Sequence, residues 1–518
     1  MGSWRLHRRV LGAVILLDVQ VCETWPAKLL EPRYDMCLGF SPHSIQLPPR
    51  ADNASTIGRE LSIFAASAIP ESHMSTLLKL RAALLIEVSG GWTIRNPTYG
   101  KCTTQLLSKN VSIQCRTRGD EKRWSMWSNG TLAQFQNTEV HHDFLLCDLL
   151  PIYPVPSRMS VQARLHEPEA EFPVLLQLEL CRVDEPLLDV VFCTQPLFGF
   201  HRLAQELPFV IDDWLAYHLD HMGLQRANIY DVDGSFERVL QPWLRNSSFD
   251  LTYFKRWPSS LSDDMDRISD QYPYCTETWA YAHCLTSQRA RSRWVMLLHA
   301  PDEYIRGPHP GYRILKDFLL NYVERMNAPD VVQVLRMELL DFARGGEASE
   351  QVSQERGSIL EGSCQRADQG NTYVLIVDPR EVVCAGPHTA FTEVGTADMG
   401  AAIDLEPQHL VVHHYVEMRQ KDLGRCTQYH RSCNIPDDSI LWAVPLLRNG
   451  KIGLPLTQIT NGTEVDTLRC ARKDGESGDR CRSLEGVIDA ATTIEAWDCF
   501  TSKHHFQSCC CEHNGRDC

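Results

Sequence analysis

No stretch of about 18 consecutive apolar residues occurs in the chain, which excludes an ordinary membrane-spanning helix from its body. Basic runs are as scarce: none exceeds a pair such as Arg8-Arg9, and 51 Lys and Arg face 66 Asp and Glu. The net charge is −15 and the pI is near 5.7. Nucleic-acid binding is driven by counterions released to Lys and Arg, so this balance excludes nucleic acid as the expected partner. An anionic membrane surface is disfavoured for the same reason. The chain also lacks G-x-S-x-G, H-E-x-x-H and P-loop patterns, which removes the common serine hydrolase, zinc protease and NTPase readings. No internal repeat is present.

What remains is a chain of 518 residues, 43% of them hydrophobic, enough for two to four domains with sizeable cores. The N-terminus has a basic segment ending at Arg8-Arg9, then the apolar run Val10–Leu17. This is the pattern of a signal peptide over residues 1–22. Asp18 to Glu23 offers no tidy small-residue cleavage site, so a short membrane signal-anchor is the alternative. The chain has twenty cysteines, a count that usually persists in oxidising compartments. Five N-glycosylation sequons begin at Asn53, Asn110, Asn129, Asn246 and Asn461. Together these features predict a lumenal or secreted protein.

Residues 23–185 read as a β-rich region. Leu84–Val88, Val161–Leu165 and Val174–Leu180 are strand-like runs between turn signals, and Ser75–Leu85 carries a helical pattern. Cys102, Cys115 and Cys147 are placed to staple a small sandwich. From about residue 186 the pattern alternates. Strands are expected at Leu188–Cys193, Arg226–Tyr230, Leu251–Phe254 and Arg293–Leu298, with helices at Glu206–Met222, Phe236–Trp243 and Thr276–Arg291 between them. Strand alternating with helix predicts an open α/β sheet, whose ligands bind beyond the carboxyl ends of the strands. Gly345–Gly370 reads as an exposed loop, and Tyr373–Val377 and His409–His413 as later strands. Residues 437–518 form a Cys-rich tail.

Two acidic turns sit at strand ends, Asp231-Val-Asp233 and Asp302-Glu303-Tyr304. Carboxylates there are costly unless solvent, a cation or hydrogen bonds satisfy them. A Mg²⁺ or Mn²⁺ ion bridging diphosphate oxygens would suit such oxygen ligands. D-x-D is a common pattern, and a plain acidic turn accounts for either site equally well on local chemistry. His413-His414 ends a strand, where one of the two rings can reach a shared site and the other must face away. In the tail, His504, His505, Cys509, Cys510, Cys511, His513 and Cys518 could bind zinc. Their spacing matches no finger pattern, and disulfides are the favoured reading.

The run Val190–Gly199 resembles the opening strand of glycosyltransferase family 92. The resemblance continues through Trp214–His218, Gly223, Ile229–Asp231, Cys275, Ala282-His283-Cys284, Trp294–Ile305, Val377-Asp378-Pro379 and His414-Tyr415. It spans residues 186–436 and implies a GT-A fold, a Rossmann-like sheet that binds a nucleotide sugar. It further implies inverting transfer of galactose from UDP-galactose to a glycan acceptor, dependence on Mn²⁺ or Mg²⁺, and residence in the Golgi. Carried over by position, Asp302 and His414 become metal or diphosphate contacts. Gln195, Asp231, Arg267, Asp270, Glu303 and Tyr304 become donor-site residues. The family usually has an acidic residue where this chain has Ala300, so one carboxylate is missing. That leaves a catalytically lapsed sugar-binding or scaffold protein as the alternative. The catalytic base is not identified, and Asp404, Glu393 and Glu417 are the candidates.

Overall fold

The computed structural model describes most of residues 32–448. Residues 1–31 and 449–518 lie outside the description, as do shorter internal segments, the longest being 48–58, 71–79, 345–359 and 416–432. The expected leader, the Cys-rich tail and the sequons at Asn53 and Asn461 therefore fall outside it. Among the described residues, no helix is long and apolar enough to cross a membrane.

The first part is all β. Its strands are β1 (Tyr34–Met36), β2 (Ser44–Leu47), β3 (Arg59–Pro70), β4 (Leu80–Val88), β5 (Thr93–Asn96), β6 (Lys101–Thr103), β7 (Ser112–Arg118), β8 (Ser128–Gln136), β9 (His141–Leu149), β10 (Arg158–His166) and β11 (Val174–Arg182). Nine of them form one antiparallel sheet in the order β1-β11-β10-β7-β8-β9-β4-β3-β2. β1 also pairs with β3, through Tyr34↔Ala68, so the sheet closes on itself rather than forming the expected sandwich. Closure leaves no free edge between β1 and β3. Leu84, Leu145, Val161 and Leu178 fill the interior, where the Cys115–Cys147 disulfide also lies, and Cys37–Cys181 ties the residue just after β1 to β11.

The expected helical pattern at Ser75–Leu85 is corrected where described, since Leu80–Leu85 belong to β4. Leu84 faces the interior cluster, while Ala83 and Leu85 face outward into a second cluster with Trp279 and Leu285. A strand buried on both faces loses its polar alternation, and the continuous apolar run then mimics a helix.

The second part follows the predicted alternation. It contains β12 (Leu188–Leu197), α1 (Phe200–Glu206), α2 (Val210–Leu215), β13 (Arg226–Asp231), α3 (Glu237–Arg245), β14 (Asp250–Lys255), α4 (Asp263–Gln271), α5 (Glu277–Gln288), β15 (Ser292–Leu298), β16 (Glu303–Arg306), α6 (Ile314–Arg325) and β17 (Val334–Arg344). Next come β18 (Ser363–Arg366), β19 (Tyr373–Val377), β20 (Val382–Ala385), β21 (Ala390–Thr392), β22 (Gly395–Thr396), β23 (Ala402–Leu405), β24 (Val411–His414), β25 (Cys433–Pro436) and α7 (Val444–Arg448). The strands β14-β13-β12-β15 are parallel neighbours, and β19 and β17 extend the sheet beyond β15. Side-chain alternation along β12 explains the layering. Val190 and Phe192 enter the cluster beneath α2 and α3, and Val191 and Cys193 enter the one beneath α5. Cys193 is disulfide-bonded to Cys284 of α5.

Three expected boundaries shift. The helix read as Glu206–Met222 is α2 followed by a π-helical turn, Ala216–His221. The helix that the resemblance has beginning near Arg267 and Asp270 is α4, which starts earlier, at Asp263. β18 occupies part of the stretch expected to be a loop.

Candidate active site

The carboxyl end of β15 is where charge collects. The chain leaves Leu298, turns through Ala300 and Asp302, and returns as β16, whose Glu303 pairs with His414 of β24. Tyr415 N donates to Asp302 O at 3.0 Å and fastens the turn. Asp302 is 1% exposed, and its Oδ2 lies 3.5 Å from His414 Nε2. The other ring nitrogen, Nδ1, meets Asp341 Oδ1 of β17 at 3.1 Å. Burial works against charge on His414, but Asp302 and Asp341 outweigh it and push its pKa up to about 10. The three side chains therefore form a carboxylate–imidazolium–carboxylate row at the edge of the sheet. His413 faces the other way and stacks on Phe342, ring centroids 4.2 Å apart. Asp341 was invisible in the sequence. It reaches the site through the parallel register Asp341↔His414, and no local motif reports such a register.

Glu303 and Tyr304, expected at the donor site, are held inside the turn. Glu303 is fully buried, and its carboxylate accepts from His299 N at 2.7 Å and pairs with His299 Nδ1 at 2.5 Å. It closes the turn from within. Tyr304 is also fully buried, its ring packed 5.2 Å from Tyr217 and 5.8 Å from Tyr415. Both residues brace the turn from within. The π-helical turn supplies further support, as a widened turn re-aims side chains. Trp214 Nε1 donates to Glu303 O at 2.9 Å and Tyr217 Oη to Ile305 O at 2.7 Å.

Asp231, expected near the nucleoside, braces a turn. Its carboxylate accepts from Gly234 N and Phe236 N, each at 3.0 Å, and from Tyr253 Oη at 2.5 Å. Gly234 has φ +74°, a conformation an L side chain rarely adopts, so glycine is required there. Burial pushes the Asp231 pKa up to about 7. Asp233 accepts from Gly199 N at 2.8 Å and so ties this turn to the loop after β12. Asp231→Ala is expected to cost about 2 kcal/mol of stability, the net of three lost hydrogen bonds and a relieved buried charge. It should leave nucleotide affinity unchanged. Urea unfolding alongside calorimetric titration checks both.

Gln195 follows Thr194, which pairs with Leu298, so it lies at the same sheet edge as the β15 turn. It is 9% exposed. Arg267 and Asp270 fall in the second half of α4, not at the start of a donor-facing helix, and Arg267 is exposed. Asp404 is one of the candidates for the catalytic base. It forms a surface ion pair with Arg336 at 2.5 Å, five residues along β17 from Asp341, or about 17 Å at the usual strand rise. Glu393 and Glu417 lie outside the described residues.

The sheet is mixed, with four adjacent parallel strands, and charge collects at the carboxyl end of β15, where α/β sheets bind ligands. Residues 188–443 match the family model of glycosyltransferase family 92. The chain carries a glycosyltransferase family 92 domain. No curated protein and no solved structure matches the chain.

Proposed function

We propose that this chain transfers a sugar, galactose from UDP-galactose, to a glycan acceptor with inversion at the anomeric carbon. The β12–β24 region would be its GT-A-type, Rossmann-like donor domain. The single observation that carries this reading is the Asp302–His414–Asp341 row at the carboxyl edge of β15, inside the family-92 match. Within the proposal the chain divides into the leader, residues 23–185 as an accessory β domain, residues 186–436 as the catalytic domain, and the Cys-rich tail. Three disulfides in the described residues suit a lumenal or secreted protein. On this reading it works in the secretory pathway, in the Golgi.

Among the described residues, no three His, Cys, Asp or Glu side chains gather into a closed metal cage. Asp302 would supply a carboxylate, and His414, on giving up the Nε2 proton that faces Asp302, an imidazole whose far nitrogen Asp341 orients. That pair suits a hard divalent cation such as Mn²⁺ or Mg²⁺, which keeps waters and takes further oxygens from a diphosphate. When bound, such a cation supplies charge neutralisation to the departing diphosphate. The chain's own part is to hold Asp302 fixed through Tyr415 N and the Glu303 brace, and to keep the strand end dry.

Ala300 favours the second reading, a lapsed transferase that only binds sugar or nucleotide. Titrating the full chain with UDP, with and without Mn²⁺, and following UDP release from a panel of nucleotide sugars separates the two. Release that is fastest from UDP-galactose and stimulated by Mn²⁺ is the expected result. UDP binding without release from any donor supports the lapsed protein, and no UDP binding under either condition sinks both.

A further inference from the structure

His299 stands beside Ala300 in this site, and its geometry is unusual. It is the first residue beyond β15, three positions before Asp302. Its backbone N and its Nδ1 are both committed to Glu303. Its Nε2 is shut off from solvent and has no hydrogen-bond partner among the described residues. A buried ring nitrogen left in this way carries the desolvation penalty of a missing hydrogen bond, and such orphans call for a specific explanation. The surrounding side chains do not supply a partner. The Tyr281 ring lies 6.4 Å away and the His388 ring 5.4 Å away, and His388 Nδ1 is itself directed to Tyr373 O. Glu277 of α5 and Glu303 of β16 favour a proton on the ring, against burial and the charge of His414 on β24, and the balance raises its pKa. With Nδ1–H held by Glu303, a protonated ring presents Nε2–H as a donor at the strand end where Ala300 offers no carboxylate.

Resting on the nucleotide-sugar reading above, we propose that His299 recognises the anionic phosphates of the donor, its Nε2–H donating to a phosphate oxygen while Glu303 fixes the ring. A chain without the usual acidic residue at Ala300 then binds diphosphate through a braced cation beside Asp302. Glu303 acts as the positioning residue, which accounts for a fully buried carboxylate whose contacts all go to one histidine.

The test compares affinities of the full chain for uridine and UDP by calorimetry, in Mn²⁺ and in EDTA. In His299→Asn, the short amide can still reach Glu303 but nothing occupies the Nε2 position. It should bind uridine as the wild type does and lose about ten- to a hundredfold in UDP affinity, the usual worth of a charge-assisted hydrogen bond. His299→Gln restores a neutral donor near the Nε2 position and should lose only a few-fold, and it carries the test if the Asn variant does not fold. The loss should persist in EDTA. An unchanged UDP-to-uridine ratio in these variants overturns the proposal, as does an equal loss for both ligands, which marks His299 as a structural brace. Wild-type protein that binds no UDP overturns the nucleotide-sugar reading itself, and this proposal with it.

Discussion

Asp302→Asn is expected to lower sugar transfer by about a hundred- to a thousandfold, the range seen when one preorganised electrostatic group is removed from an active site. The substitution keeps the size of the side chain and removes its charge, so the turn should survive. Tyr415 N bonds the Asp302 backbone oxygen, not its carboxylate. A second consequence concerns pH. His414 has a folded-state pKa of about 10 against an ordinary 6.5, so the folded protein holds a proton that the unfolded chain releases between those values. The resulting stability is complete below pH about 6.5 and lost as pH rises towards about 10. With Asp302 neutral, only Asp341 still supports the charge, and the loss should begin and finish at lower pH. UDP release gives the first effect, and thermal unfolding followed from pH 6 to 10 gives the second. Turnover within tenfold of wild type would remove Asp302 from the chemistry, and an unchanged pH profile would remove it from the pairing with His414.

Much of this arrangement could be read from the chain, and the reasons differ by element. β12, β13 and β15 were legible because each is a short run buried on both faces and bounded by turn signals. Asp302 and His414 stood out because charge at the end of such a run is conspicuous, and the two-faced nature of a strand predicted that only one of His413 and His414 would reach Asp302. The same reasoning misplaced Asp231. A D-x-D after a strand looks alike whether its carboxylates face a ligand or cap the turn beneath, and only the contacts to Gly234, Phe236 and Tyr253 decide between them. Asp341 and the orientation of His299 were out of reach for another reason. Asp341 depends on a parallel register across 73 residues of chain, and the role of His299 depends on which way one side chain leaves a turn. β4 was read as a strand only from Leu84 to Val88, because over Leu80–Leu85 an interface on each face erased the period that distinguishes strand from helix.

The largest expected effect on stability comes from Trp214, which joins the helical layer to the site. Its side chain is fully buried, in edge contact with Phe192 at 5.1 Å, and its Nε1 donates to Glu303 O. Trp214→Ala should cost about 3–5 kcal/mol, the usual range for deleting a large aromatic from a core. That figure mixes lost packing with a lost hydrogen bond, and Trp214→Phe separates them. Phe retains most of the apolar contact but leaves the Glu303 carbonyl buried without this donor, which should cost about 1–3 kcal/mol. The site should register the same change. The Glu303 backbone carries both the pairing with His414 and the side chain that braces His299, so loosening it should weaken UDP binding along with stability. In Asp231→Ala, by contrast, stability falls and nucleotide affinity does not. Denaturant unfolding and UDP titration of the Phe variant measure both quantities. A Phe variant as stable as wild type would show that the bond to Glu303 O contributes nothing. A destabilised variant with unchanged UDP affinity would show that α2 supports the sheet but not the site.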